Sequence, residues 1–391
     1  MTEERAPFAT YQNEIYFAGL AGTVPAYPVA WNELEARAYE AMDPGARGYV
    51  AGGAGTEDTM RANLEAFRRW RIVPRMLRDI SARDLSTSLL GTTLNAPVLL
   101  GPVGVQSIIH PEGELAVARA AASLGVPMVL SSASSFSIEE VAEGNGDGPR
   151  WFQLYWPRDP DVAASFLSRA ESAGYSAIVV TLDTAMLAWR PRDLTGSYLP
   201  FLRGLGCANY FSDPAFCAPL ERPPEDDPQS AILRFLGLFA DPSLTWDRLT
   251  FLREHTSLPI VLKGILHPDD ARRAADAGVD AVIVSNHGGR QVDGAIGALD
   301  ALPNVVAAAA DRIEVLFDSG IRSGSDAFKA IALGARAVLL ARPYLWGLAL
   351  GGEDGVRAVL RSLMAELDLT VALSGFTNLD EITTEALERV E

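Results

Sequence analysis

The chain has 391 residues, 48% of them hydrophobic and 21% charged, enough for a large core in one big α/β domain or two smaller ones. A formal net charge of -17 argues against nucleic acid and anionic membrane as partners. Cys207 and Cys217 give neither a disulfide framework nor zinc spacing, so no metal site is expected. No apolar run approaches the length of a membrane span, and Met1–Arg5 carries no signal core, so a soluble, cytoplasmic protein is expected.

Residues 1–97 read as a mixed, mostly helical extension. From residue 98 short apolar runs alternate with helical patterns. The predicted strands are 98–101, 128–131, 151–155, 177–181, 260–263, 281–285, 314–318 and 337–341. The predicted helices are 112–124, 137–144, 160–173, 245–256, 268–277, 298–310, 324–333 and 351–369. Pro268-Asp269-Asp270 has the form of a helix start, and Gly125, Gly174, Gly278 and Gly334 each follow a helical stretch. Eight such units predict a parallel (β/α)8 TIM barrel over 98–391, with its chemistry at the C-terminal strand ends. Residues 184–244, rich in Pro, Gly and aromatics, form a long insertion after the fourth strand. They are expected to act as a lid, with a mobile stretch at 221–228.

The strand ends carry the chemistry. Ser285-Asn286-His287-Gly288-Gly289-Arg290-Gln291 follows the buried run 281–284. An imidazole moves protons near neutral pH, and a guanidinium holds a carboxylate through two parallel bonds. A base beside such a clamp suggests chemistry on a carbon next to a carboxylate. Asp318-Ser319-Gly320-Ile321-Arg322 and Ala341-Arg342-Pro343 follow the last two strands, where barrels of this kind often hold phosphate. Gln153, Tyr155, Thr181 and Lys263 suit the polar edge of a heterocycle, with Lys263 beside a ring that becomes anionic on reduction. Lysine occurs only at 263 and 329, and Lys329, in a helical pattern, is expected at the surface.

These residues resemble the FMN-dependent 2-hydroxy-acid oxidases and dehydrogenases from about Tyr39 onward. The 285–291 stretch is the most specific match. Tyr49-Val50-Ala51-Gly52-Gly53, Gln153-Leu154-Tyr155, Thr181-Leu182-Asp183-Thr184 and Lys263-Gly264 support it. Within the family the chain is similar to lactate 2-monooxygenase, through Tyr11–Tyr16, Trp189–Leu194, Pro200–Gly204, Asn209-Tyr210 and Asp213-Pro214. The resemblance implies His287 as catalytic base and Asp183 as the support of its imidazolium. It implies Arg290, Arg190 and Tyr49 on the substrate carboxylate, Tyr155 on the reacting oxygen, and Tyr210 in the lid slowing product release. Lys263 would sit near N1 and O2 of FMN. Pro102, Val103, Gly104, Ser131, Gln153 and Thr181 would line its ring, and Ser285 would contact its side. Asp318, Gly320, Arg322, Ala341 and Arg342 would hold the ribityl phosphate end. A 2-hydroxy acid and oxygen as partners, and a homo-oligomer (tetramer or octamer), are implied in the same way.

Two positions depart from that pattern. Ala133 stands where glycolate oxidase has tryptophan, which implies a wider substrate pocket. Ala185-Met186-Leu187-Ala188 lacks the aromatics of lactate monooxygenase. The expected reaction is FMN-dependent oxidation of an L-2-hydroxy acid by oxygen, with oxidative decarboxylation. The alternatives are a peroxide-releasing oxidase or a quinone-linked dehydrogenase acting on a larger aromatic or branched acid. A cysteine-based barrel dehydrogenase is disfavoured because both cysteines lie in the insertion. A scaffold is disfavoured because the acid–base and clamp residues are all present.

Overall fold

The computed structural model describes residues 6–390. Eight parallel strands close into a barrel: β4 (Val98–Leu100), β5 (Met128–Ser131), β6 (Arg150–Leu154), β7 (Ile178–Thr181), β8 (Ile260–Ile265), β9 (Ala281–Val284), β10 (Glu314–Phe317) and β11 (Ala337–Leu340). They are the eight runs predicted from sequence, each within a few residues. Nearly every strand residue is buried, which is why the runs are continuously apolar rather than alternating. β11 pairs with β4, Val98 opposite Val338, and so closes the circle. Inward-facing Leu99, Val129, Trp151, Val179, Val261, Ile283, Leu316 and Leu339 fill the interior, making it a packed core and not a pore.

Among the described residues four helices and three short strands precede the barrel. The helices are α1 (Thr10–Leu20), α2 (Trp31–Ala41), α3 (Pro44–Ala51) and α4 (Asp58–Arg68). The strands are β1 (Trp70–Ile72), β2 (Thr87–Leu89) and β3 (Thr92–Leu94). β2 and β3 form an antiparallel hairpin whose buried Leu89 and Leu94 join the interior cluster and plug the N-terminal end of the barrel. β1 pairs antiparallel with β12 (Leu387–Arg389), fastening the extension to the far end of the chain.

The outer helices are α5 (Gly113–Leu124), α6 (Ile138–Asn145), α7 (Pro160–Ser172), α12 (Leu249–His255), α13 (Pro268–Asp276), α14 (Ala298–Ala309), α15 (Gly324–Ala332) and α16 (Arg342–Leu373). Their starts follow local chemistry. Ser137 and Glu140 form a reciprocal capping box on α6, and Pro160 and Pro268 occupy first turns. α16 starts nine residues before the predicted 351, because non-helical backbone at Gly351 and Gly352 splits it and hides the first arm. Lys329 corrects another expectation. It is buried, and its Nζ donates to the Phe67 carbonyl at 3.0 Å, in the last turn of α4 where carbonyls lack the usual intrahelical partner.

The insertion folds into α8 (Pro191–Thr195), α9 (Ala208–Phe211), α10 (Pro214–Cys217) and α11 (Pro228–Leu238). Buried Asp213 caps α10 and pairs with Arg169 of α7 at 2.9 Å, anchoring the insertion to the barrel wall. Tyr210 packs edge-on against Phe166, Phe216 and Phe235 with centroids 4.8–5.6 Å away. Among the described residues no helix is long and apolar enough to cross a membrane.

Candidate active site

A cavity of about 1060 Å³ opens at the C-terminal ends of the strands. The 285–291 loop supplies its central group. Asn286 ties this loop to α4, exchanging side-chain bonds with Asn63 at 2.8 and 2.6 Å. The Ser285 hydroxyl accepts from the His287 amide at 3.0 Å and from Lys263 Nζ at 2.9 Å. His287 itself has φ of 58°, a left-handed backbone that L residues adopt at a cost of about 1 kcal/mol and that clusters at functional sites.

His287 Nδ1 lies 2.7 Å from Asp183 Oδ1, which fixes the ring proton on Nδ1 and leaves Nε2 as an acceptor. Tyr155 Oη is 3.5 Å from that Nε2. The Thr184 hydroxyl lies 3.3 Å from Nδ1 and donates to Asp183 Oδ1 at 3.1 Å. Burial pushes the imidazole below its ordinary pKa, against the pull of Asp183, so the ring is neutral at pH 7. Burial alone would raise the Asp183 carboxyl, but His287 and Lys263 hold it at about 2. Burial also raises the Tyr155 phenol, which keeps it a donor. Lys263 loses water yet stays cationic, because Asp318 at 3.2 Å and Asp183 outweigh the loss.

Around this centre sit four recessed guanidiniums. Arg290 donates to the Tyr49 and Gly52 carbonyls, each at 2.6 Å, with its guanidinium 5.1 Å from the Tyr49 ring. Arg190 donates to the Arg290 carbonyl at 3.1 Å and to Gln291 Oε1 at 2.7 Å. Arg342 donates to the carbonyls of Val50, Gly288 and Gly52. Arg322 donates to the Ile321 carbonyl and lies over the Trp346 ring. Among the described residues none of the four pairs with a carboxylate. Burial, then mutual repulsion, lowers Arg290 to about 9 and Arg342 to about 10. Buried cations without partners cost several kcal/mol, a cost that anionic ligands would remove. Two further groups are unmatched: buried Gln153 Nε2 and Thr181 Oγ1 make no hydrogen bond to protein. Polar atoms at the strand ends, one ammonium, and unpaired guanidiniums beyond β10 and β11 fit a flat heterocycle carrying a phosphate.

The structure brings most of the predicted site residues together. Tyr49, Pro102, Val103, Gly104 and Ala133 line the cavity, as do Tyr155, Arg190, Lys263, His287 and Arg290. So do Asp318, Gly320, Arg322, Ala341 and Arg342. Ser131, Gln153, Asp183 and Ser285 stand directly behind this lining, where Ser131 Oγ donates to Gln153 Oε1 at 2.9 Å. Tyr210 is not brought to the cavity. Its ring belongs to the core of the insertion and is fully buried there. Leu187, Phe201 and Phe239 of the insertion line the cavity instead, with Phe239 5.0 Å from the Tyr155 ring. Sequence reasoning had singled out the 185–188 stretch as a departure but missed Phe201 and Phe239 as lining residues, and also Thr184, whose position directly after Asp183 was the available signal.

The sequence pattern of the FMN-dependent dehydrogenases matches residues 38–389. The chain belongs to that family. It is 45% identical over 387 residues to an FMN-dependent alpha-hydroxy acid dehydrogenase of Penicillium citrinum, covering 98% of this chain and 96% of that one. It is 43% identical over 378 residues to an L-lactate oxidase of Lysinibacillus sphaericus, covering 97% of each. A solved structure of mandelate oxidase superimposes with a TM-score of 0.82 at 40% identity, covering 92% of this chain and 98% of that one. The cofactor is FMN, and the protein is an FMN-dependent 2-hydroxy-acid oxidoreductase.

Proposed function

We propose that this enzyme oxidises an L-2-hydroxy acid with a bulky apolar side chain, uses oxygen as acceptor, and decarboxylates the product as lactate 2-monooxygenase does. The observation that carries the 2-hydroxy-acid chemistry is the neutral His287 imidazole, bonded to the Asp183 carboxylate, beside two guanidiniums without carboxylate partners. Arg290 and Arg190, with Tyr49, grip the substrate carboxylate. Tyr155 donates to the reacting oxygen. His287 Nε2 takes a substrate proton, and Asp183 stabilises the imidazolium that results. Bound FMN supplies the two-electron acceptor. Lys263 offsets negative charge at the ring edge, which Pro102, Val103, Gly104, Ser131, Gln153 and Thr181 surround, with Ser285 at its side. Asp318, Gly320, Arg322, Ala341 and Arg342 hold the ribityl phosphate.

The side-chain preference follows from Ala133, a small residue lining the same cavity as apolar Leu187, Phe201 and Phe239. The mandelate oxidase structures include one with (S)-4-hydroxymandelic acid and one with benzoyl-formic acid, which supports an aromatic substrate here. Anaerobic mixing with a panel of 2-hydroxy acids tests the substrate: aromatic and branched acids should bleach the flavin faster than glycolate or lactate. Ala133→Trp should reverse that order, shifting relative kcat/KM by at least about tenfold, the scale of a few buried methylenes. If the wild type reduces only with glycolate and lactate, the wide-pocket reading fails.

The decarboxylation reading rests on the enclosure. Leu187, Arg190, Phe201 and Phe239 of the insertion line the cavity, and Gly104 packs so closely on the next loop that an added Cβ would lie 2.9 Å from the Ala133 carbonyl. An oxo acid held there meets the peroxide formed beside it. Product analysis in air with catalase present should give mainly carbon dioxide and the shortened acid. Stoichiometric free oxo acid would make the enzyme an oxidase, and turnover with a quinone but without oxygen uptake would make it a dehydrogenase.

A further inference from the structure

The Asp183–His287 pair separates two cavities. His287 faces the one described above, while Asp183 lines a second of about 1000 Å³ behind it. Tyr155 and Thr184 line both. The rear cavity lies between the ends of β7 and β8 and residues 240–249, where the insertion returns to the barrel. A bulge in β8 at 263–265 shapes its wall. Gly264 there has φ of 107°, and any Cβ on it would fall 2.8 Å from Asp183 Cβ. Bare backbone at 264 is what lets Asp183 sit against this wall.

Three buried atoms of residues lining the rear cavity make no hydrogen bond to the described residues: the acceptor Asp183 Oδ2, the donor Trp156 Nε1 and the Thr181 hydroxyl. Asp241 and Asp270, both partly exposed, line it too, and no basic side chain does. A roomy cavity with an unmatched donor, an unmatched acceptor and partly exposed carboxylates is one that holds water.

We propose that the rear cavity is a water-filled port through which His287 exchanges its Nδ1 proton with solvent, with the Thr184 hydroxyl as relay, while the front cavity is closed over substrate. This rests on His287 being the base. Oxidation removes two electrons and two protons from the substrate. Bound FMN would supply the acceptor for both electrons and one proton, and His287 Nε2 takes the other proton. The imidazolium then passes its Nδ1 proton to Thr184 Oγ1 as that hydroxyl turns away from Asp183 Oδ1 and gives its own proton to rear water, so one proton reaches solvent and the ring returns to neutral with its hydrogen on Nε2. When the acceptor is reduced, Nε2 gives up that hydrogen and Nδ1 regains one by the reverse route. Over a full turnover no net proton crosses the port.

The test uses the FMN-loaded enzyme, mixed anaerobically with substrate in weakly buffered solution containing a pH-indicator dye. In the wild type, proton release should keep pace with loss of flavin absorbance. Thr245→Trp puts a plug on the rear wall without touching the dyad. It should leave flavin reduction within about twofold while the dye lags it by at least about tenfold. Thr184→Val, which keeps the volume and removes the hydroxyl, should show the same lag whatever its reduction rate. Dye and flavin signals in step in both variants would overturn the port while leaving His287 as base. Near-normal reduction in a His287→Ala enzyme would overturn the base itself. A crystal structure of the wild type supplies a readout independent of turnover: ordered water within hydrogen-bond reach of Asp183 Oδ2 supports the port, and a dry rear cavity overturns it.

Discussion

Replacing His287 with alanine should leave FMN bound and slow flavin reduction by at least about a hundredfold, the scale on which a positioned base contributes. FMN should stay because its proposed grip comes from other strand ends: Lys263 on β8, Arg322 after β10 and Arg342 after β11. Reduction should fall because, among the described residues, the groups bonded to the His287 ring are poor bases. Tyr155 is a phenol held protonated by burial, and Asp183 points its charge at Nδ1, on the far side of the imidazole. Flavin absorbance of the purified variant reports loading, and stopped-flow mixing without oxygen reports the rate. A variant that reduces at close to the wild-type rate would move the base elsewhere.

Asp183→Asn should also cost about a hundredfold or more in reduction, by a different route. The carboxylate stabilises the imidazolium and sets the proton on Nδ1; an amide does neither job reliably. The pH dependence separates this from simple damage. His287 must be neutral to accept a proton, so kcat/KM rises with pH through the imidazole pKa of the free enzyme and then levels off. Burial has already lowered that pKa below its ordinary value, and Asp183 is the group opposing the fall. Without its charge the pKa drops further. The acid limb of the kcat/KM profile should therefore move to lower pH in the variant even as the plateau falls. A limb that moves toward neutral pH would contradict the electrostatics.

What the sequence conveyed, and what it did not, follows from burial. The eight strands were legible because parallel strands covered on both faces are uninterrupted apolar runs. The hairpin of β2 and β3 was not, since its six residues include exposed Ser88, Thr92 and Thr93, and of the buried three, Thr87 is polar and only Leu89 and Leu94 are apolar. The site residues carrying charge announced themselves at strand ends. Phe201 and Phe239 could not, because an apolar residue in an irregular insertion gives no hint of the surface it will meet. Tyr210 misled because the resemblance gave it a part in the lid over the site, whereas its ring was needed among Phe166, Phe216 and Phe235. Lys329 looked like a surface residue because a helical pattern reveals its buried face only when that face is apolar.

The closure of the barrel also bears on how the protein is made. β4 is the first barrel strand to be synthesised, and its neighbour β11 comes about 240 residues later. Until β11 leaves the ribosome, one edge of β4 has no partner, and the loops proposed to hold the phosphate, after β10 and β11, do not yet exist together. A nascent chain therefore has no complete FMN site at any stage before the last strand is in place. FMN would bind only the finished barrel, and a ligand that binds only the native state stabilises it by mass action. Flavin supply would then decide how long newly finished molecules survive proteolysis, and cells starved of riboflavin would accumulate less of the protein, not merely less of its activity.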